Sequence, residues 1–239
     1  MPESLEDFLL TRPPTAERPL LGQTVLVVED SRFACEALRM ICQRSGARIR
    51  RADCLKSAAR HLRTYRPGIV LVDVGLSDGS GLDLVRDLAA SDARVSVIAA
   101  MSGETQNNDA ALAAGADVFI PKPIRSVSAF QATILAELPR DARPVGLRPV
   151  SSDEVIPDPI AYRDDLVLAA DLLETHTDIE TFQYVASFLT GLGNAADDDG
   201  LAKAAQSVNQ MLPAKAPPTD AIQSLLAVVQ NRLTDLQQV

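Results

Sequence analysis

Short aliphatic and β-branched runs alternate with amphipathic stretches through the first half of the chain. The runs Thr24–Val28, Arg48–Ala52, Ile69–Val72, Val95–Ala100 and Asp117–Ile120 read as strands. The first, third and fourth are almost continuously apolar, as strands buried on both faces should be. Between them, Arg32–Ser45, Leu55–Tyr65, Leu82–Ser91, Gln106–Ala114 and Val127–Leu138 carry apolar residues at helical spacing. Gly46 and Gly115 fall where two of these helices should stop, because glycine takes the left-handed cap conformation without a Cβ penalty. Five strand–helix repeats in this order predict an α/β domain, a doubly wound parallel sheet of five strands over residues 22–139.

The pattern then changes. Pro139, Pro144, Pro149, Pro157 and Pro159 punctuate an extended linker over 140–159, since proline at that density cannot continue a helix. Beyond it the strand signal vanishes. Four apolar stripes follow at helical spacing: Leu166/Ala169/Ala170/Leu173, Phe182/Val185/Leu189/Leu192, Leu201/Ala205/Val208/Leu212 and Ile222/Leu225/Val229/Leu233/Leu236. Each stripe needs a partner, so 160–239 is expected to be a small all-α bundle. Thr177-x-x-Glu180 reads as a capping box for its second helix, and Gly193 as that helix's stop. Residues 1–21 are expected to form an N-terminal arm, with Leu5, Phe8 and Leu9 as an apolar cluster behind a possible cap at Ser4.

Composition narrows the class. No run of about 18 apolar residues spans a membrane, and the start of the chain lacks the basic and apolar regions of a secretion signal, so a cytoplasmic, soluble protein is expected. The three cysteines, Cys35, Cys42 and Cys54, have no metal-ligand spacing and read as reduced thiols, the first two in the core. Charge is divided unevenly. The chain's net charge is −9, yet residues 150–239 hold 4 basic and 14 acidic side chains. So acidic a half would repel a phosphate backbone, which disfavours nucleic acid as its partner.

The candidate chemistry lies at the carboxyl ends of the strands, where ligands bind in such sheets. Glu29 and Asp30 close the first strand, Asp73 the third, Ser102 the fourth and Lys122 the fifth. Crowded carboxylates repel one another, and a divalent cation with oxygen ligands, magnesium above all, relieves that repulsion. A lysine and a small hydroxyl then suit a phosphoryl group. The stretches Val25-Leu-Val-Val-Glu-Asp-Ser, Leu71-Val-Asp-Val-Gly-Leu-Ser-Asp-Gly-Ser-Gly-Leu and Gly115-Ala-Asp-Val-Phe-Ile-Pro-Lys-Pro resemble the signature of two-component response-regulator receiver domains, which have a flavodoxin-like fold. The resemblance implies that Asp73 takes a phosphoryl group from a phosphohistidine. It implies Mg2+ on Asp30, on Glu29 through water, on Asp73 and on the backbone carbonyl of Gly75. It further implies that Lys122 pairs with the phosphoryl group and precedes a cis peptide to Pro123, that Ser102 bonds the phosphate, and that Phe119 acts as a switch. Glu29 in place of the commoner aspartate, Ser77 in place of a proline and Phe119 in place of tyrosine depart from the family without removing a required charge.

In the second half, Ala186-Ser-Phe-Leu-Thr-Gly191 is similar in outline to the core of histidine-phosphotransfer domains, but Ser187 holds the histidine's place and cannot carry a phosphoramidate. His61 and His176 read as surface residues. The expectation is therefore a phosphorylation switch and not a metabolic enzyme. Its partners would be a sensor histidine kinase or phosphotransfer protein, and a second copy through a homodimer. Phosphorylation would repack the face around Asn107 to Leu138 and change the contacts of the helical half. The alternative is a transcriptional regulator whose helical half binds DNA.

Overall fold

The computed structural model describes residues 13–146, 152–212 and 219–237, which form two compact units. One comprises residues 37–156 with those up to Asp30, the other Ser31–Glu36 with Pro157 onward.

In the first unit, β1 (Thr24–Val28), β2 (Arg48–Ala52), β3 (Ile69–Asp73), β4 (Val97–Ser102) and β5 (Val118–Pro121) form one parallel sheet in the order β2-β1-β3-β4-β5. The chain winds one way from β1 to β2 and the other way from β3 onward, so the reversal lies between β1 and β3. The two strands run in register from Val25 opposite Ile69 to Val28 opposite Val72. Every residue of β3 and β4 is buried. Leu26, Val28, Val70, Val72, Ile98 and Ala100 share one buried cluster, and the alternate residues Val25, Val27, Ile69, Leu71, Val97 and Ala99 are buried on the opposite face. This two-sided burial is why the runs read as continuous apolar segments. The helices α1 (Arg32–Ser45), α2 (Leu55–Thr64), α3 (Gly81–Ala90), α4 (Asn107–Ala113) and α5 (Val127–Glu137) follow the strands in turn, and each predicted helix is found within two residues of its expected ends. Gly46 and Gly115, at φ +84° and +103°, take the left-handed conformation required after α1 and α4.

Two features of this unit were not anticipated. Gly75–Leu76 and Gly79–Ser80 pair as a small antiparallel hairpin directly after β3. The linker, moreover, is docked in part of its described residues. Its segment around Glu154 bridges to Ser126, Val155 is buried at 1% exposure, and a 3-10 turn occupies Arg140–Ala142. The expected apolar cluster of the N-terminal arm lies outside the described residues. The described end of that arm is docked, with Leu20 fully buried and its N–H donated to the Ser45 carbonyl at 2.8 Å.

The second unit contains α6 (Pro159–Thr175), α7 (Ile179–Ala195), α8 (Asp199–Met211) and α9 (Thr219–Asp235). Consecutive helices are neighbours and α9 closes against α6, so the four stripes meet in one core. That core also receives Phe33, whose ring lies edge-on to Tyr162 at a centroid distance of 5.8 Å. Asp165, at 1% exposure, accepts from the Ser31 hydroxyl at 2.7 Å and from the N–H groups of Arg32 and Phe33 at 2.8 and 3.0 Å. A carboxylate can be buried when several donors converge on it in this way.

Two local readings need correction. The cap of α7 is Asp178, not Thr177: its carboxylate accepts from the N–H and the hydroxyl of Thr181, and a charged acceptor at a helix N-terminus outcompetes a hydroxyl one residue earlier. Gly193 does not stop α7, which runs on to Ala195. A Cβ at Gly193 would lie 2.7 Å from the backbone nitrogen of Ala202, so its role is to let α8 approach closely.

Asp198 ties the bundle together. It caps α8 through Leu201 N–H, accepts from the Tyr162 hydroxyl at 2.9 Å and pairs with Arg232 Nε at 2.6 Å. The Arg232 guanidinium, with these other donors, lowers the Asp198 carboxyl from 3.8 to about 2. Because the folded value is depressed, the stabilisation is complete above pH 4 and fades as pH falls toward about 2. Asp198→Asn should cost about 1 kcal/mol at neutral pH, given the partial exposure of the pair. Thermal melts should show the gap between wild type and variant closing as pH falls through that window.

Candidate functional site

Four loops meet at the carboxyl end of the sheet, and the chain reversal between β1 and β3 leaves a crevice there. Glu29 and Asp30 follow β1 directly, Asp73 is the last residue of β3, Ser102 the last of β4, and Lys122 comes immediately after β5. Three of these carboxylates, Glu29, Asp30 and Asp73, present oxygens within 4.8 Å of one another. They are buried, at 0, 8 and 7% exposure respectively.

Lys122 stands among them. Its Nζ lies 2.6 Å from Glu29 Oε2 and 3.0 Å from Asp73 Oδ1. Burial by itself would favour the neutral amine, but the carboxylates of Asp73 and Glu29 outweigh it and hold the lysine protonated. Burial also pushes the Glu29 carboxyl up to about 8. The Lys122 ammonium opposes that rise, while the negative charges of Asp73 and Asp30 add to it. One ammonium is thus too little positive charge for three crowded carboxylates. An oxygen-only donor set with an excess of negative charge fits a hard divalent cation such as magnesium.

The remaining groups are fixed by backbone. Asp30 accepts from the N–H of Ser77 at 3.0 Å, so the position where the family usually has a proline supplies a donor here. Gly75 opens the hairpin and is exposed. Ser102 Oγ accepts from Glu104 N–H at 3.1 Å and from Asn107 Nδ2 at 3.0 Å, which leaves its own O–H to donate. The Lys122 N–H donates to the Ser102 carbonyl at 2.8 Å, binding the two loops together. The Lys122–Pro123 peptide is cis. Phe119 is half-buried on β5, packed against the cluster on one side of the sheet.

Sequence reasoning overlooked two contributors. A Cβ at Gly81 would lie 1.9 Å from the Asp73 carbonyl oxygen and 2.9 Å from Val72 Cγ1, so glycine alone lets α3 start against the end of β3. Asp78 at the hairpin tip accepts from the N–H groups of Leu55 and Lys56 at 2.8 and 3.1 Å, capping α2. Its Asp-Gly dipeptide was the available turn signal. Cys35 and Cys42 are buried thiols outside any disulfide, and burial pushes the Cys42 thiol up to about 12, so it is inert at neutral pH.

The family model described as the response regulator receiver domain matches residues 25–133. The KDP operon transcriptional regulatory protein KdpE of Escherichia coli K12 is 29% identical over 176 residues, covering 71% of this chain and 73% of KdpE. The virulence transcriptional regulatory protein PhoP of Salmonella typhimurium LT2 is 35% identical over 100 residues, which are 41% of this chain and 45% of PhoP. Among solved structures, a CheY-like receiver domain from Methylobacillus flagellatus is 25% identical with a TM-score of 0.44, covering 48% of this chain and 97% of that one. The receiver domain of sensor histidine kinase PA1611 from Pseudomonas aeruginosa, solved with magnesium in its active-site cleft, is 22% identical with a TM-score of 0.44, covering 48% and 96%.

The close approach of Gly81 can be checked against Gly75, where an added Cβ meets nothing within 4 Å. Gly81→Ala should lose about 2–4 kcal/mol through backbone displacement, whereas Gly75→Ala should melt within a few degrees of wild type in the same thermal scan.

Proposed function

Residues 25–133 form the receiver domain of a two-component response regulator, and on that premise we propose that the chain accepts a phosphoryl group on Asp73 from a phosphohistidine of a sensor kinase or phosphotransfer protein. The observation that carries this reading is the buried Lys122 ammonium 3.0 Å from Asp73 Oδ1, with Glu29 and Asp30 crowded alongside. In the step, an Asp73 oxygen attacks phosphorus and the P–N bond to imidazole breaks. The imidazole nitrogen leaves with the bonding pair and takes up a proton. Lys122 neutralises charge on the transferred oxygens, and the Ser102 hydroxyl donates to one of them. Magnesium held by Glu29, Asp30, Asp73 and the Gly75 carbonyl would offset the rest of that charge. Phe119, already half-buried, is the side chain we assign to the switch.

We read the helical half as a protein–protein module that responds to this state, a second copy among its partners. Ser187, exposed on α7, accepts from Asn209 Nδ2 at 3.2 Å and has no imidazole to relay phosphate. The printed names of KdpE and PhoP support a second reading, transcriptional regulation. Against it stand the 14 acidic and 4 basic side chains of residues 150–239.

Intact-mass measurement after incubation with acetyl phosphate and magnesium should show one added phosphoryl group on wild type and none on Asp73→Asn. Equal labelling of the two would remove Asp73 from its role. A gel shift at low salt should show no competitor-resistant binding of duplex DNA, and tight specific retention would establish the second reading instead.

A further inference from the structure

Within the first unit, one stretch of the linker behaves unlike its neighbours. Ser152, Asp153, Glu154 and Ile156 are exposed, yet Val155 between them is buried at 1% exposure. The backbone on either side is tied down. Val155 N–H donates to the Arg125 carbonyl at 2.9 Å, and Val127 N–H donates to the Asp153 carbonyl at 3.2 Å. Ser126 and Glu154 form the antiparallel bridge between those two bonds. The linker therefore makes a single antiparallel bridge to the turn between β5 and α5.

That turn is not a neutral anchor. It begins three residues after Lys122, whose Nζ is held by Glu29 and Asp73, and its Ser126 caps α5 by accepting from Ala129 N–H at 3.2 Å. Phosphorylation would exchange the single charge of the Asp73 carboxylate for a phosphoryl group carrying about 1.5 to 2 negative charges, a net gain of at most about one, on oxygens facing the Lys122 ammonium. The resulting pull acts along the turn that the linker holds through these two backbone bonds and the buried Val155, with the Arg44 guanidinium reaching the Glu154 carbonyl at 3.5 Å beside them. A single bridge at the margin of the fold opens locally at lower cost than the sheet.

We propose that Asp153–Val155 is a strap on the β5–α5 turn, released when Asp73 is phosphorylated, and that the linker is thereby the element through which the receiver state is passed on. The inference rests on the Asp73 reading above. It needs no displacement of the sheet.

Hydrogen–deuterium exchange on the full chain tests it, with magnesium present and with or without beryllofluoride as the phosphoryl surrogate. Loading should speed exchange of the amides in 153–155 by about tenfold or more, and Asp73→Asn should show no such change. Val155→Ala should bring the unloaded protein's exchange toward the loaded level while acetyl phosphate still labels Asp73. If Asp73 takes up its phosphoryl group but exchange at 153–155 is the same in both states, the strap proposal is wrong and the acceptor reading stands. If wild type takes up no phosphoryl group, the acceptor reading fails and the strap falls with it.

Discussion

A protonated lysine buried beside two carboxylates is the interaction on which the first unit's chemistry depends. Neither partner could be buried alone, because an unpaired charge in a low-dielectric crevice costs several kcal/mol. Asp73 and Glu29 hold Lys122 protonated, burial raises the Glu29 carboxyl to about 8, and a third acidic side chain, Asp30, adds to the crowding. The cluster thus sets three acidic side chains against one ammonium. Parallel strands make this possible, because they bring the loops after β1, β3, β4 and β5 to one edge while the strands themselves are buried on both faces.

Much of this was legible from spacing. The sheet announced itself through Val25–Val28, Ile69–Val72 and Val97–Ala100, where two-sided burial forbids the polar alternation that would have blurred the signal. That Glu29, Asp30, Asp73 and Lys122 would lie together was legible because each falls at the carboxyl end of a strand and the fold brings those ends to one edge. What could not be read were contacts made between residues distant in sequence. Gly81 looks like any helix-opening glycine until the Asp73 carbonyl is placed beside it. The hairpin at 75–80 is too short to show a period. Val155 is one apolar residue in a polar, proline-rich stretch, and nothing local distinguishes it from the exposed Ile156. Thr177 and Asp178 are both competent caps, and the choice between them depended on which acceptor faces Thr181.

The two halves solve different electrostatic problems. The first concentrates charge in a crevice. The second carries 14 acidic against 4 basic side chains over residues 150–239 and includes a part-buried ion pair, Asp198 with Arg232, that joins the start of α8 to α9. Ser187, where the sequence outline of a phosphotransfer core would have histidine, is exposed on α7 and bonded to Asn209.

The residue Phe33 carries a consequence for how the protein can be divided. Its ring belongs to the core of the helical unit, and Asp165 in that unit binds the backbone beside it, although Phe33 precedes the linker by more than a hundred positions. A gene fragment beginning after the linker would therefore encode four helices with a ring-sized hole and a buried carboxylate stripped of its donors. The boundary that the prolines mark in the sequence is not a place where the molecule comes apart cleanly, and the helical half has to be studied with residues 31–36 still attached.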